Sequence, residues 1–174
     1  MVYTQDSPAT NHLCSPTPDN DQMITTIVSG GQTGVDRAAL VVALELGIPC
    51  RGWCPKDRRA EDGPIDSRYP LTETPTATYE ERTERNVRDS DGTLVLRGER
   101  ASPGTELTME LAARLGKPHF VVDLFDDPDV AAVRWWAEEN GVCVLNVAGP
   151  RASQSPGIYE RARDFLRGVL HEWD

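Results

Sequence analysis

The chain has 174 residues, a hydrophobic fraction of 39% and a formal net charge of −10 at pH 7. This length fits one domain of ordinary size with its own core, and the acidic balance argues against a nucleic-acid-coating surface, which is normally basic. The sequence also lacks an apolar leader and any apolar stretch near the roughly 18 residues of a membrane span. A small anionic ligand stays compatible, because a pocket can be positive on an acidic body.

The N-terminal residues 1–22 are rich in Ser, Thr, Asp, Asn and Pro and contain almost no apolar run. Such a segment cannot offset the entropy of ordering, so we predict a disordered or loosely held tail. A partner-binding arm is the functional alternative. The folded domain is then expected over residues 23–174.

The rest of the chain alternates between short apolar runs and amphipathic segments. We predict strands at 24–29, 50–54, 93–96, 119–124 and 142–147, and helices at 35–46, 79–90, 105–115, 128–140 and 158–173. Strand and helix in strict alternation predict an α/β fold, a doubly wound, Rossmann-like three-layer sandwich with a mainly parallel five-stranded sheet. The strands lack clean alternation of polar and apolar residues, which is typical of strands buried on both faces.

The first predicted strand runs into a glycine-rich turn, Gly30-Gly31-Gln32-Thr33-Gly34, which opens the first helix. Ligands of open parallel sheets bind at this end of the strands, and free N–H groups at a helix start favour a phosphate. Gln32 and Thr33 would add donors, and Arg37 would add charge unless it lies on the outer helix surface. Asp36 is interpreted as a first-turn residue favoured by the helix dipole. A tight turn without a ligand is the structural alternative.

A second glycine turn, Ser102-Pro103-Gly104-Thr105, opens a later helix after the third predicted strand. If the first and third predicted strands are neighbours, as in the order 2-1-3-4-5, both turns face one crevice. We therefore predict Ser102, Gly104 and Thr105 as ligand-binding residues. An ordinary helix N-cap is the alternative, since Ser and Thr cap helices routinely.

The helix between the two turns is mostly polar. If Tyr79 and Val87 face inward, so do Thr83 and Asn86, and an inward face with such hydrogen-bonding capacity is unusual for plain core. Thr83 and Asn86 are therefore candidates either for the ligand or for fixing neighbouring loops.

Weaker candidates follow two other strands. The stretch from Pro55 to Thr78 is too long for an ordinary connection, which favours a functional loop or lid. Its basic start contains Lys56 and Arg58, which could meet a second anionic group or remain a solvated surface. Asn146 and Arg151 flank the end of the last predicted strand.

No catalytic or metal-binding group is predicted. The four cysteines are scattered, and the spacing of Cys50 and Cys54 lacks the second pair that a zinc site needs. No nucleophile and histidine pair is indicated. Neither glycine turn matches the P-loop or the dinucleotide-binding fingerprint.

Three segments resemble a known family, the molybdenum-cofactor carrier proteins. They are residues 27–37, residues 82–93, and Gly104-Thr105 at a helix start, and the likeness spans residues 24 to about 170. This family lies within a Rossmann-like group of SLOG, lysine-decarboxylase-like and DprA-like proteins, which includes the cytokinin-activating phosphoribohydrolases.

The resemblance implies that the crevice binds molybdenum cofactor, a molybdopterin whose phosphate meets the glycine turns. It also implies a cytoplasmic homo-oligomer, a dimer or tetramer, with partners among molybdoenzymes or cofactor-synthesis proteins and neither nucleic acid nor membrane. Gly30, Gly31, Thr33 and Gly34 match the first turn, and other matches are Thr83, Asn86, Gly104 and Thr105.

One position departs from the related hydrolases, which carry the motif PGGxGTxxE with a catalytic glutamate. Here Thr108 stands at the glutamate position, and Glu106 and Glu110 lie on other helix faces. The sequence therefore favours a carrier without chemistry of its own. The alternatives are a nucleoside-monophosphate hydrolase assisted by Glu106 or Glu110, and a nucleotide-sensing module.

Overall fold

A computed structural model describes residues 23–171, in which strands and helices alternate. The predicted tail, residues 1–22, lies outside the described residues. The elements are β1 (Thr26–Val28), α1 (Val35–Leu46), β2 (Cys50–Cys54), a short 3-10 helix (Lys56–Arg58), β3 (Leu71–Glu73), α2 (Tyr79–Arg88), β4 (Gly92–Arg97), α3 (Pro103–Arg114), β5 (His119–Asp123), α4 (Val130–Glu139), β6 (Val144–Ala148) and α5 (Ile158–Leu170).

The six strands form one parallel sheet in the order β3-β2-β1-β6-β4-β5. The predicted doubly wound α/β class is confirmed, with six strands in place of five. The additional strand β3 has three residues, Leu-Thr-Glu, of which two are exposed at the sheet edge. A strand so short and polar carries no hydrophobic pattern from which to predict it.

The condition that the first and third predicted strands are neighbours is not met. These are β1 and β4, and the last strand, β6, lies between them and pairs with both. If β6 and α5 preceded β1, the chain would start in the middle of the sheet and add β1, β2 and β3 outward on one side. It would then add β4 and β5 on the other side, which is a doubly wound order whose turning point lies between β6 and β4.

The helices cover both faces of the sheet. Apolar side chains of α1, α4 and α5 pack with the strands in the main core, which includes Ile27, Leu94, Leu145 and Leu166. Helices α2 and α3 contact each other on the opposite face through a smaller cluster around Val87 and Leu111. No helix within residues 23–171 is long and apolar enough to cross a membrane.

The long connection between β2 and α2 is ordered by its own hydrogen bonds. The guanidinium of Arg58 donates to the carbonyl oxygens of Ile65, Asp66, Tyr69 and Leu71 at 2.8 to 3.2 Å. Beneath it, the loop residues Ala60, Ile65 and Tyr69 pack against Leu40 of α1 and Cys54 of β2. This connection, residues 55–78, therefore packs over the start of α1 and is called the cover loop.

Candidate functional site

A cleft of about 180 Å³ opens at the carboxyl edge of the sheet, where β6 ends between the first glycine turn and the start of α3. One side of α2 closes it. Residues predicted from the sequence form much of its lining: Gly30, Gln32, Thr83, Asn86, Ser102, Gly104, Asn146 and Arg151. The other predicted residues lie outside the lining: Gly31, Thr33, Gly34, Arg37, Lys56, Arg58 and Thr105. The two glycine turns thus flank one cleft, although β6 separates the strands that precede them.

Some N–H groups of the first turn have partners within the protein. The Gly31 N–H points at the Ser29 hydroxyl, 3.4 Å away, and the Thr33 N–H donates to Oε1 of Gln32 at 3.0 Å. The Gln32 N–H stabilises the carboxylate of Asp36. A phosphate at this turn therefore stays a prediction, and it would share the turn with these contacts.

The first N–H of α1 is hydrogen-bonded by the loop that follows β6, residues 149–157 (the post-β6 loop). The Val35 N–H donates to the Pro150 carbonyl at 3.3 Å. A Cβ on Gly34, whose φ is +79°, would lie 2.4 Å from that same oxygen, so the close packing there requires glycine. Gly34 therefore serves close packing against the post-β6 loop.

Thr33 and Arg37 attach two loops to the first turn. The Thr33 hydroxyl donates to the Glu61 carboxylate and accepts from the Ala152 N–H at 3.1 Å. Arg37 donates to the Gly31 carbonyl at 3.1 Å and pairs with Asp62 at 3.0 Å. The polar atoms of Thr33 and Arg37 therefore hold the cover loop in place.

Asp36 and Arg82 form a buried ion pair in the wall of the cleft, with Nη1 of Arg82 3.2 Å from Oδ2 of Asp36. Burial raises the pKa of the Asp36 carboxyl, although Arg82 and the Gln32 N–H oppose this by stabilising the carboxylate. A Cβ on Gly30 would lie 1.8 Å from Arg82 Nη1, so glycine makes room for the guanidinium.

The start of α3 is open toward the cleft. Its N-cap residue, Ser102, does not bond the helix with its side chain and instead donates to Oε1 of Gln154 at 3.1 Å. Pro103 has no N–H, and the first internal bond runs from the Glu106 N–H to the Ser102 carbonyl at 3.0 Å. The N–H groups of Gly104 and Thr105 thus precede the hydrogen-bonded ladder, at the positive end of the helix dipole.

Free space adjoins Gly104. A Cβ added there would meet a single neighbouring atom, Oγ of Ser102, at 4.0 Å, and the backbone has no left-handed φ that would demand glycine. The adjacent Thr105 is buried, and its hydroxyl makes no hydrogen bond among the described residues. Gly104 thus leaves the uncapped helix start accessible to a ligand.

The polar face of α2 serves the fold as well as the cleft. Oδ1 of Asn86 accepts from the Trp53 N–H at 2.7 Å, and Nδ2 donates to the Trp53 carbonyl at 3.0 Å. Thr83 donates to the Tyr79 carbonyl within the helix at 2.8 Å. Asn86 therefore fixes β2, which was one of the two alternatives for this residue.

Two polar residues line the floor of the cleft, one in β6 and the other in α3. Asn146 is buried and donates to the Thr93 hydroxyl on β4 at 3.2 Å. Thr108 stands where the related hydrolases carry glutamate, and its hydroxyl donates to the Gly104 carbonyl at 2.9 Å. Glu106 and Glu110 are exposed and lie outside the lining. No metal-binding cluster of His, Cys, Asp or Glu occurs within residues 23–171.

Sequence reasoning missed several residues of the lining. Arg82 lies within the segment that resembles the carrier family, but its position relative to the cleft depends on the strand order. Asp36 was interpreted only as a first-turn residue. Tyr79 and Gln154 also line the cleft, and Gln154 comes from a loop without any recognisable motif.

The fold and cleft define a Rossmann-like protein with a crevice at the turning point of its sheet. The chain belongs to the circularly permutated YpsA SLOG family, whose model matches residues 27–170. The place of β6 between β1 and β4 is the arrangement that such a permutation produces.

Comparison with solved structures finds a similar chain, a proposed molybdenum carrier protein from Syntrophus aciditrophicus SB. The two chains are 43% identical with a TM-score of 0.81, over 86% of this chain and 96% of the other. No curated protein matches the chain.

Proposed function

We propose that this protein binds and carries molybdenum cofactor, with the phosphate of the pterin at the start of α3. The observation that carries the proposal is the uncapped N-terminus of α3 beside the free space at Gly104. Helix N-termini with free N–H groups bind phosphates without a dedicated cation. The similar molybdenum carrier protein and the sequence resemblance support molybdenum cofactor as the ligand.

The donors present in the cleft fit such a ligand. Arg151 and Arg82 supply positive charge to the cleft, and Gln32, Asn146 and Thr108 supply polar atoms along the walls. A pterin has hydrogen-bond donors and acceptors around a flat ring, which suits a crevice whose walls carry both polar and apolar groups. When bound, the cofactor would supply the molybdenum and dithiolene chemistry to a recipient protein, and the residues of this chain would hold and shield it.

We propose holding rather than hydrolysis. Thr108 cannot accept or donate a proton as a glutamate does, and its hydroxyl is engaged by the helix backbone. Asp36, the acidic residue in the lining, is tied to Arg82 and the first turn. Among the described residues, the cleft therefore has no carboxylic acid placed to assist a leaving base.

Enlarging Gly104 tests the phosphate position. We expect Gly104→Ala to weaken cofactor binding several-fold and Gly104→Val by about tenfold or more, because the side chain enters the space beside the helix N–H groups. Folding should not suffer, since replacing glycine by alanine in a helix stabilises it by roughly 0.5–1 kcal/mol. Binding is measured by fluorescence titration with isolated cofactor, and folding by thermal unfolding.

Glu106→Gln is the matched control, because it lies in the same helix turn but outside the cleft lining. It should bind the cofactor as the wild type does. Unchanged affinity in both Gly104 variants would refute the phosphate position. Absence of any binding by the wild-type protein at micromolar concentration would refute the carrier function, and release of free base from AMP, lost in Glu106→Gln, would favour the hydrolase.

The proposal extends to assembly and location. As a carrier, the protein should act in the cytoplasm as a homo-oligomer and deliver its ligand to molybdoenzymes or cofactor-synthesis proteins. Native mass spectrometry of the purified protein with and without cofactor measures the oligomeric state and the number of ligands bound, and a monomer under both conditions would exclude the homo-oligomer.

A further inference from the structure

Three guanidinium groups converge on the ring of Tyr79, the first residue of α2. Their central carbons lie 5.0 Å (Arg59), 5.4 Å (Arg82) and 5.6 Å (Arg151) from the ring centroid. The three arginines come from different parts of the chain: the cover loop, α2 and the post-β6 loop. Tyr79, Arg82 and Arg151 line the cleft, and Arg59 approaches the same ring from the cover loop.

Such convergence has an electrostatic cost. No two of the three carbons can be farther apart than about 11 Å, the sum of their distances to the ring, which is close to the Debye length of roughly 8–10 Å. The like charges therefore repel one another. Cation–π contacts with the Tyr79 ring offset only part of this repulsion.

The nearby carboxylates compensate this charge incompletely. Asp36 pairs with Arg82, but burial raises the pKa of its carboxyl. The Glu61 carboxylate is 4.0 Å from Nε of Arg151 and is already bonded by Thr33 and by the N–H and hydroxyl of Ser153.

Arg59 makes no ion pair among the described residues. Its Nη1 donates to the Ala77 carbonyl at 3.3 Å. The cluster thus retains positive charge at the cleft of a protein whose net charge is −10.

We propose that Arg59, Arg82 and Arg151 around Tyr79 form a second oxyanion subsite of the cleft, distinct from the start of α3. The inference rests on the proposed function and narrows its ligand to a phosphorylated heterocycle that carries a second anionic group. Planar guanidinium groups suit phosphate and other tetrahedral oxyanions, since each presents paired N–H donors. The second group is a further phosphate or the oxo group of a bound metal.

The test compares ligands that differ by one anionic group. Guanosine 5′-monophosphate and 5′-diphosphate share the 2-amino-4-oxopyrimidine ring of a pterin, and molybdopterin with and without molybdenum forms the other pair. In at least one pair, we expect the ligand with the additional anionic group to bind the wild type about tenfold more tightly. The pair that shows the gain tells whether the second group is a phosphate or a metal oxo group.

The variants Arg59→Gln and Arg151→Gln should each abolish most of this gain. Arg59→Gln is the sharper test, because Arg59 is exposed and lies outside the lining, so binding of guanosine 5′-monophosphate should change less than about threefold. The matched control is Arg161→Gln, which removes the same charge and a guanidinium stacked 4.2 Å from the ring centroid of Phe125. It should retain the full gain.

The outcomes separate the two proposals. Equal affinity within both ligand pairs, or a gain that survives in Arg59→Gln and Arg151→Gln, would overturn the subsite and leave the carrier function standing. Failure of all four ligands to bind the wild type would overturn both. Loss of the gain in Arg161→Gln as well would show a general charge effect and overturn the subsite.

Discussion

At the scale of the residue, Asp36 occupies the place of an anion in the first glycine turn. Its carboxylate is stabilised by the Gln32 N–H and pairs with Arg82, near the positive end of α1. A helix start that already holds a carboxylate has less to offer a phosphate. This is the physical reason for placing the phosphate at Gly104, where the helix start has no side-chain cap.

Protonation of Asp36 gives a testable pH dependence. Because burial raises its pKa above the ordinary value of 3.8, the folded state holds this proton more tightly than the unfolded state. The stability that the Asp36 carboxyl contributes is present in full below pH 3.8, and it is lost as the pH rises through the raised pKa of the folded state. We therefore expect the unfolding free energy of the wild type, minus that of Asp36→Asn, to fall as pH increases.

Urea unfolding of both proteins between about pH 3.5 and pH 8 measures this difference. The subtraction removes the contribution of the other titrating groups that the two proteins share. A difference that rises with pH would mean that Arg82 outweighs burial and lowers the pKa of Asp36.

At the scale of the element, α2 is joined to the sheet by a polar contact. Asn86 bonds both the N–H and the carbonyl of Trp53 and so extends the hydrogen bonding of β2. The same strand brings Gly52 against the Ser29 carbonyl, where a Cβ would lie 1.9 Å away. The polar face of α2 thus positions β2, the cover loop and one wall of the cleft together.

Removal of this contact should be costly. Asn86→Ala leaves the backbone donor and acceptor of the half-buried Trp53 unpaired, and a fully buried group of this kind costs about 1–3 kcal/mol, so we expect a loss of roughly 2 kcal/mol. Urea unfolding is the measurement. The control Asn140→Ala removes an amide that donates to the Trp136 carbonyl at the exposed end of α4 and should cost under about 1 kcal/mol. Equal losses in the two variants would contradict the role of Asn86.

At the scale of the whole molecule, the sheet order makes the last strand the centre of the fold. β6 pairs with β1 and β4, and its carboxyl end forms the floor of the cleft. The site therefore depends on residues from both ends of the described chain. The first glycine turn and Asn146, for example, come together only when β6 takes its place between β1 and β4.

Reversal of the permutation tests this topology. A chain that starts at Gly141, ends at Asn140 and joins Asp174 to Met1 places β6 and α5 before β1. The joint contains the 25 residues outside the described range. We expect cooperative unfolding and retained cofactor binding.

The new ends lie in an exposed connection between α4 and β6, where a break in the chain is tolerated best. The measurements are urea unfolding and cofactor titration, with the unpermuted chain as control. Loss of cooperative unfolding would show that β6 must be the last strand for the sheet to form.

The sequence by itself determined the local structure. The spacing of apolar residues predicts α1 and α5, and short apolar runs predict five strands, because each pattern is set by neighbours along the chain. Glycine and proline mark both turns of the cleft, since their backbone preferences are local as well. The class of fold and the two ends of the site follow from these signals.

Only the tertiary structure decided which donors remain for a ligand. The strand order, the pairing of Asp36 with Arg82, the meeting of Arg59 and Arg151 at Tyr79, and the short strand β3 all depend on contacts between distant segments. Such contacts leave no period or spacing in the sequence, because the partners of a polar group are selected by the packing of the whole fold. The first glycine turn looks like a phosphate site in the sequence, whereas in the fold its Gly31 and Thr33 N–H groups have internal partners and the Asp36 carboxylate lies at the same helix start.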